Sequence, residues 1–177
     1  MEIAVAQSDI RRAYRGGFAG QLVSSLVWFA SAAAATWSTR TVAVVVLVVG
    51  GTMIFPLTVL VLRLMGTPVA LPSNHPMNSL ARQIAFTLPM SFPLIYAATV
   101  YRIEWFYPAF MIALGAHYLP FVFLYGMRQF AVLSVVLVMG GAALGALLPS
   151  VFSLGGWVTA GVLLVFAFTG LASSRRA

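Results

Sequence analysis

Residues 41–62 read TVAVVVLVVGGTMIFPLTVLVL, an apolar run without a charged side chain that lies between Arg40 and Arg63. An α-helix rises about 1.5 Å per residue, so a run of this length crosses the ~30 Å hydrocarbon core of a bilayer. Similar runs occur along the rest of the chain. Together they predict six transmembrane helices, over residues 17–37, 41–62, 84–101, 105–125, 130–148 and 154–172. The sequence therefore predicts an all-α integral membrane bundle of six spans.

The overall composition supports this class. Of the 177 residues, 62% are hydrophobic and only 7% are charged, whereas soluble domains carry about 25% charged residues. The absence of cysteine excludes a disulfide framework and a thiolate metal site. We divide the chain into a cytoplasmic N-terminal segment (1–16), a six-helix transmembrane domain (17–172) and a cytoplasmic tail (173–177).

The basic residues are all arginine, and they lie in small groups between the apolar runs. This distribution is typical of membrane topology signals and predicts no nucleic-acid partner. Arg40 and Arg102 lie on one predicted side, and the other side holds Arg11, Arg12, Arg15, Arg63, Arg82, Arg128, Arg175 and Arg176. The positive-inside rule places the second side, with both termini, in the cytoplasm. The predicted outer ends carry the aromatic residues Trp37, Tyr101, Trp105, Tyr107 and Trp157, as an interfacial belt does.

The N-terminal segment allows more than one interpretation. Arginines precede an apolar run that ends in small residues, as in a signal peptide, but the run is long enough to span, and we expect an uncleaved helix. Residues 1–8 are expected to fray, and Ser8 or Asp9 to cap a helix that leads into span one. An amphipathic surface helix is disfavoured here because the segment is short and carries two acidic residues.

Prolines lie inside spans two, three and four and remove helical hydrogen bonds there. Pro56, Pro89 and Pro120 fall in the predicted cytoplasmic halves, and Pro93 follows in span three. Carbonyl groups that lose their helical donor inside a bilayer must accept hydrogen bonds from neighbouring groups or line a cavity. One hypothesis is a cytoplasm-facing pocket among these spans, and the alternative is ordinary kinking for packing.

His117 lies near the middle of span four, where an ionisable group indicates a functional role. Its imidazole can relay a proton or bind a substrate, with Tyr118, Ser91 and Tyr96 as further pocket candidates. The alternative is a histidine bonded to a neighbouring hydroxyl or free carbonyl group. No carboxylate lies inside a predicted span, which disfavours a transporter built on a midplane acid. The sequence predicts no catalytic residue, no metal site and no cofactor.

Polar residues at the two ends of the bundle form further candidates. Glu104 lies beside Arg102 and Trp105, which predicts a local ion pair or helix cap, or else a site at the outer mouth. The cytoplasmic connection 63–83 carries the other group. We expect a turn there, with Asn78 or Ser79 capping span three, or else a substrate-binding loop that includes Asn74, His75, Asn78 and Arg82.

Small residues recur at spacings that bring helices together in lipid. They predict packing within the chain or, alternatively, a homo-oligomer, and they form two groups: Gly16, Gly20 and Ser24 in span one, and Gly141 and Gly145 in span five.

Three stretches resemble a family of small bacterial multi-spanning membrane proteins of unknown function. The likeness covers residues 10–150 and is carried by Ile54-Phe55-Pro56-Leu57, by Glu104-Trp105 with Pro108, and by the run from Gly115 to Phe121 followed by Tyr125. Its most specific part is the run Gly115-Ala116-His117-Tyr118-Leu119-Pro120. The resemblance implies a multi-pass protein of the bacterial inner membrane and no assigned activity, and it favours His117, Tyr118, Pro120 and Glu104 as functional positions. Here His75 separates Asn74 from Pro76, a departure from the family's Asn-Pro loop.

Three classes of function follow. We favour a channel or transporter-like protein for a small molecule or ion, with a pocket among spans two to four. The second class is a membrane-embedded lipid-binding protein or enzyme, with polar groups at headgroup depth near Arg82 or His75. The third is a structural or interaction protein with a tightly packed bundle.

Overall fold

The computed structural model describes residues 2–67, 71–147 and 150–174. The chain is helical, and within these ranges it forms no strand. The predicted tail (173–177) is described only to Ser174, so Arg175 and Arg176 lie outside the described residues.

The helices follow the predicted spans closely. They are α1 (Ile3–Ala13), α2 (Phe18–Trp37), α3 (Arg40–Leu64), α4 (Met77–Met90), α5 (Phe92–Tyr101), α6 (Phe106–Tyr118), α7 (Phe121–Tyr125), α8 (Gln129–Leu147) and α9 (Leu154–Ser174). Helices α4 and α5 meet at a kink at Ser91, and α6 and α7 meet at Leu119 and Pro120.

Among the described residues, six helical segments are long and apolar enough to cross a membrane: Arg15–Trp37, Arg40–Leu64, Met77–Tyr101, Ile103–Tyr125, Gln129–Leu147 and Leu154–Ser174. The six predicted spans are therefore confirmed as helices by length and composition. Span three begins at Met77 rather than at residue 84, which shortens the predicted connection 63–83. These six apolar helices indicate a multi-pass membrane protein.

The centre of the bundle is formed by α2, α6, α8 and α9. Helix α2 packs against α9, and α6 packs against α8. The Trp28 ring joins the two pairs because it contacts the rings of Tyr107 and Phe110 on α6. Helix α3 packs on α2 and α5 packs on α6 at the periphery, where many apolar side chains are exposed on the surface that a bilayer would cover.

Two ends of the bundle differ in character. The aromatic end, defined by Trp37, Trp105 and Trp157, is tied together by a contact between the Trp37 and Trp157 rings and by a hydrogen bond from Trp157 Nε1 to Thr36. The opposite end, which holds α1, Arg63 and Arg82, is called the arginine-rich end below.

Helix α1 differs from the sequence prediction in two ways. Residues from Ile3 onward are helical rather than frayed, and neither Ser8 nor Asp9 caps the helix, because it begins after Glu2. It does not run into span one, since Arg15, Gly16 and Gly17 adopt left-handed φ angles of 50°, 63° and 85° and turn the chain.

The N-terminal segment forms an amphipathic helix whose apolar side packs on the bundle. Ala6 and Ile10 are buried, and two polar side chains reach the end of α7. Gln7 Nε2 donates to the Phe123 carbonyl and Arg11 Nη1 donates to the Tyr125 carbonyl, each at 2.6 Å. Helix α1 thus meets carbonyl groups that the end of span four leaves without intrahelical donors.

The predicted small residues lie in contacts within the chain. A Cβ on Gly141 would stand 2.7 Å from the Pro108 carbonyl oxygen, and one on Gly145 would stand 2.7 Å from the Trp105 ring. Gly16 lies equally close to Gly170 on α9. The glycines let these helices approach closely. The homo-oligomer through the same residues stays a prediction.

The contact of Gly141 with the α6 backbone predicts a clear difference between adjacent glycines. We expect Gly141→Ala to lower the free energy of unfolding by about 1–3 kcal/mol, because its Cβ would press on a backbone carbonyl that cannot move independently. Thermal unfolding in detergent measures this. Gly140→Ala is the matched control, because its Cβ would make only an ordinary 3.4 Å contact with Met111. Equal destabilisation by both variants would contradict the packing described here.

Candidate functional site

The arginine-rich end contains a partly open cleft of about 860 Å³ between α1 and the connection from α3 to α4. Its described lining combines apolar surface with several charged and polar side chains: Asp9, Arg11, Arg12, Ala13, Arg15, Gly66, Thr67, Leu71, Pro72, Asn74, His75, Pro76 and Ser174. We call it the arginine cleft. Three arginines and one aspartate give its walls a positive balance.

Arg15 is placed in the arginine cleft by the left-handed turn after α1. Its Nε donates to Thr67 Oγ1 at 2.9 Å, and Thr67 is buried in the connection on the opposite wall. This hydrogen bond joins the two walls and fixes the plane of the guanidinium group, whose remaining N–H groups extend from the same rigid fork.

Arg11 also connects the cleft to the bundle. Its Nη1 donates to the carbonyl of Tyr125, whereas its Nε is buried and has no hydrogen-bond partner among the described residues. A guanidinium nitrogen always carries hydrogen, so this atom is an unmet donor.

His75 contributes a second unmet donor. Its side chain is only 3% exposed, and its Nδ1 accepts a hydrogen bond from the Met77 backbone N–H at 3.3 Å. In the neutral ring the proton is therefore on Nε2. That buried atom has no hydrogen-bond partner within the described ranges, because Asp9 Oδ2 lies 3.7 Å away.

Asp9 lies between two basic groups of the cleft. Its Oδ1 is 3.3 Å from Nη2 of Arg12, one turn along α1, and its Oδ2 faces His75. Arg12 is 77% exposed, so this pair adds little to stability and leaves the Arg12 guanidinium accessible.

The predicted loop residues separate into two groups. Asn74 and His75 line the arginine cleft. The prediction that Asn78 or Ser79 caps span three is wrong, because α4 already begins at Met77. Asn78 Nδ2 instead donates to the carbonyls of Pro72 and Ser73 and holds the loop closed, while Arg82 is exposed on α4 outside the lining of this cleft.

His117 is half-buried and lies against span three. Its Nδ1 is 2.8 Å from Thr87 Oγ1, and the Thr87 hydroxyl donates to the Ile84 carbonyl at 2.8 Å. With that hydroxyl hydrogen so engaged, Nδ1 of His117 is the donor to Thr87. The Thr87 carbonyl in turn accepts a bond from Ser91 Oγ at 2.9 Å, so two of the pocket candidates meet through one threonine.

Of the other pocket candidates, Tyr118 lies beside His117, with the two ring centroids 5.7 Å apart, whereas Pro56, Pro93 and Tyr96 do not join them. Pro56 and Pro93 are exposed on the periphery of the bundle, and Tyr96 is 72% exposed. Tyr118 is buried in the core, where its ring lies beside Phe130. Pro120 immediately precedes α7, and the Ala116 carbonyl that it deprives of a helical donor accepts instead from the Leu119 N–H at 3.3 Å.

At the aromatic end, Glu104 forms an ion pair with an arginine of another span rather than the local ion pair that the sequence predicts. Nη1 of Arg40, at the start of α3, donates to Glu104 Oε1 at 2.7 Å. Arg102 is exposed beside it, and the Trp105 ring packs against Gly145. Sequence reasoning missed Arg40 because the two partners lie on different spans.

The six apolar helices indicate the class of multi-pass helical membrane proteins, and one end of this bundle carries a positively charged cleft. The chain belongs to DUF7010, a family of unknown function whose model matches residues 3–173. This match agrees with the resemblance to a family without an assigned activity. A search of curated proteins finds no match, and neither does a search of solved structures.

The contact of Arg11 with the end of α7 predicts a stabilising role. We expect Arg11→Met to lower the free energy of unfolding by about 1.5–3 kcal/mol, because it removes a charged donor from a buried carbonyl group. Chemical unfolding in detergent tests this. Arg12→Met, on the next residue of the same helix, should change stability by about 0.5 kcal/mol or less. A larger loss for Arg12→Met than for Arg11→Met would refute the capping role.

Proposed function

We propose that this protein binds a phosphate-bearing anionic ligand in the arginine cleft. The observation that carries the proposal is the charge of the described lining, in which Arg11, Arg12 and Arg15 outnumber the single carboxylate of Asp9. Arg12 is 77% exposed, so its guanidinium group is accessible to a ligand. The unprotonated oxygens of a phosphate group carry negative charge and accept hydrogen bonds, so they complement guanidinium groups.

The position of the cleft on the bundle supports this choice. The arginine excess favours placing the arginine-rich end in the cytoplasm. The cleft then lies where spans one and two leave the bilayer, at the depth of the phospholipid headgroups. The ligand's phosphate belongs either to an anionic lipid of the inner leaflet or to a soluble phosphate compound. This is the lipid-binding class of function, with binding and no reaction assigned.

Ligand-dependent stability tests the proposal and separates the two sources. The protein is placed in nanodiscs of phosphatidylcholine, and Tm is measured after adding phosphatidate to the discs or inorganic phosphate to the buffer. A ligand at about 100 times its Kd stabilises by about 2.7 kcal/mol, which shifts Tm by roughly 5–10 °C for a chain of this size. A shift with phosphatidate alone identifies a lipid headgroup, and one with inorganic phosphate identifies a soluble ligand.

Matched arginine variants test whether the ligand-induced shift of Tm arises from binding in the arginine cleft. Arg12→Gln and Arg15→Gln should each abolish most of the ligand-induced shift, because both side chains line the cavity. Arg63→Gln removes one charge from the same end outside the lining and should keep the shift. An unchanged Tm with both ligands, or an equal loss for all three variants, would overturn the proposal.

A second candidate is the transporter-like function centred on His117. The observation that favours it is the hydrogen bond between His117 and Thr87, which joins spans three and four beside the kink of each. Polar contacts between broken helices are where many transporters place their sites. The residues that carry the channel or transporter proposal are therefore His117, Thr87 and Ser91.

Proton movement tests the second candidate. Wild-type protein in liposomes should collapse an imposed pH gradient faster than empty liposomes, because the neutral imidazole can exchange protons along the Thr87 contact. We expect His117→Ala to return the rate to that of empty liposomes. Thr169→Val, which removes an exposed α9 hydroxyl, is the control and should behave as wild type. Identical rates for wild-type and empty liposomes would exclude proton transport at this site.

A further inference from the structure

The two walls of the arginine cleft differ in their chemistry. The charged side chains of the described lining all come from α1 and the turn that follows it: Asp9, Arg11, Arg12 and Arg15. On the opposite side, the connection from α3 to α4 contributes Leu71, Pro72 and Pro76, which we call the apolar wall. The described part of that connection adds no arginine and no carboxylate to the lining. The cleft therefore has one charged side and one largely apolar side.

The apolar wall is held in place by the protein itself. The Pro72 carbonyl accepts hydrogen bonds from the His75 backbone N–H at 2.9 Å and from Asn78 Nδ2 at 2.8 Å. Leu71 packs against the hydrophobic core, whereas the two prolines are exposed. Proline also fixes its own φ angle. A wall that is already ordered loses little conformational freedom when a ligand covers it.

The size of the cleft and the closeness of its walls indicate a ligand with more than a phosphate group. Pockets of about 300–1,000 Å³ hold molecules of drug size, and the arginine cleft has about 860 Å³. Its walls meet where Arg15 Nε donates to Thr67 Oγ1 at 2.9 Å, and Thr67 belongs to the same connection as the apolar wall. A ligand that fills the cleft therefore contacts guanidinium groups and apolar side chains together.

We propose that the ligand of the arginine cleft is a phospholipid. Its phosphate lies against the charged side, at Arg12 and Arg15, and the first part of its acyl chains lies against the apolar wall. This inference rests on the proposed phosphate-binding function and decides between its two sources of phosphate.

The apolar wall is the reason for choosing a lipid over a soluble phosphate compound. Hydrocarbon that covers apolar side chains removes both surfaces from water, which is favourable. The hydroxyl groups of a soluble sugar phosphate would instead give up hydrogen bonds to water against a wall that returns none. The apolar wall and the arginines together fit a molecule that is apolar at one end and anionic at the other.

Two ligands with the same phosphate monoester on the same glycerol test the proposal. The protein is placed in phosphatidylcholine nanodiscs, and Tm is measured against the concentration of glycerol 3-phosphate or of dioctanoyl phosphatidate. We expect phosphatidate to give the same shift at a concentration at least about tenfold lower, because each buried methylene contributes about fourfold in affinity. Equal potency of the two ligands overturns the lipid proposal and leaves phosphate binding intact. No shift with either ligand overturns both.

Leucine variants separate binding in the cleft from simple partition of phosphatidate into the nanodisc. Leu71→Asn should weaken phosphatidate binding about tenfold, because it replaces a side chain of the apolar wall with a polar one. Leu64→Asn is the matched control, because Leu64 lies at the end of α3, is 79% exposed and is outside the described lining. Both variants meet the same concentration of lipid. Phosphatidate binding that is unchanged in Leu71→Asn, or equally weakened in both variants, overturns the proposal.

Photo-crosslinking of the wild-type protein decides the matter if Leu71→Asn fails to fold. A phosphatidate with a diazirine on its acyl chain should form adducts within residues 71–76, and unlabelled phosphatidate should suppress them. A diacylglycerol with the same diazirine lacks the phosphate and should label only the exposed surface of the spans. The absence of phosphatidate adducts at residues 71–76, or equal labelling there by the two probes, contradicts the proposal.

Discussion

The requirement that polar groups inside a bilayer find partners within the protein governs this structure. Helices satisfy most of the backbone, but each helix end and each proline leaves carbonyl groups that need another donor. The Ala116 carbonyl, freed by Pro120, takes the Leu119 N–H. The last carbonyls of span four take Gln7 and Arg11 from α1. Local adjustment is sufficient inside the span, whereas the end of the span needs a separate segment of chain.

That separate segment also creates the cleft. To reach the end of α7, α1 must lie across the bundle rather than continue into span one, and the left-handed turn at Arg15–Gly17 produces this change of direction. The turn presents Arg15 to Thr67, so the connection between α3 and α4 becomes the opposite wall. The capping of one helix and the construction of a charged cleft are thus consequences of the same arrangement. A change that released α1 from α7 would also remove one wall of the cleft.

The spans were predictable from sequence and the cleft was not, for physical reasons. A transmembrane helix is apolar because lipid surrounds it. An uninterrupted apolar run such as residues 41–62 therefore identifies a span directly. The cleft depends on pairs such as Arg15 with Thr67 and Arg11 with Tyr125, which are distant in sequence, and no periodicity links them. The same arginines were interpreted only as topology signals. Prolines marked the interruptions of spans three and four, whereas α3 continues through Pro56 as one helix. They could not show that Pro56 is exposed or that His117 would face Thr87.

The kinds of unmet atom distinguish two regions of the arginine-rich end. In the cleft they are donors on cationic or protonated groups, Arg11 Nε and His75 Nε2, and the surrounding charge is positive. Beneath it they belong to neutral glutamine amides that offer both donor and acceptor atoms. Because Gly16 and Gly170 approach so closely, little more than a backbone separates the two environments. Charged groups are costlier to bury than neutral amides, so the charged donors lie beside the open cleft and the neutral amides lie within the bundle.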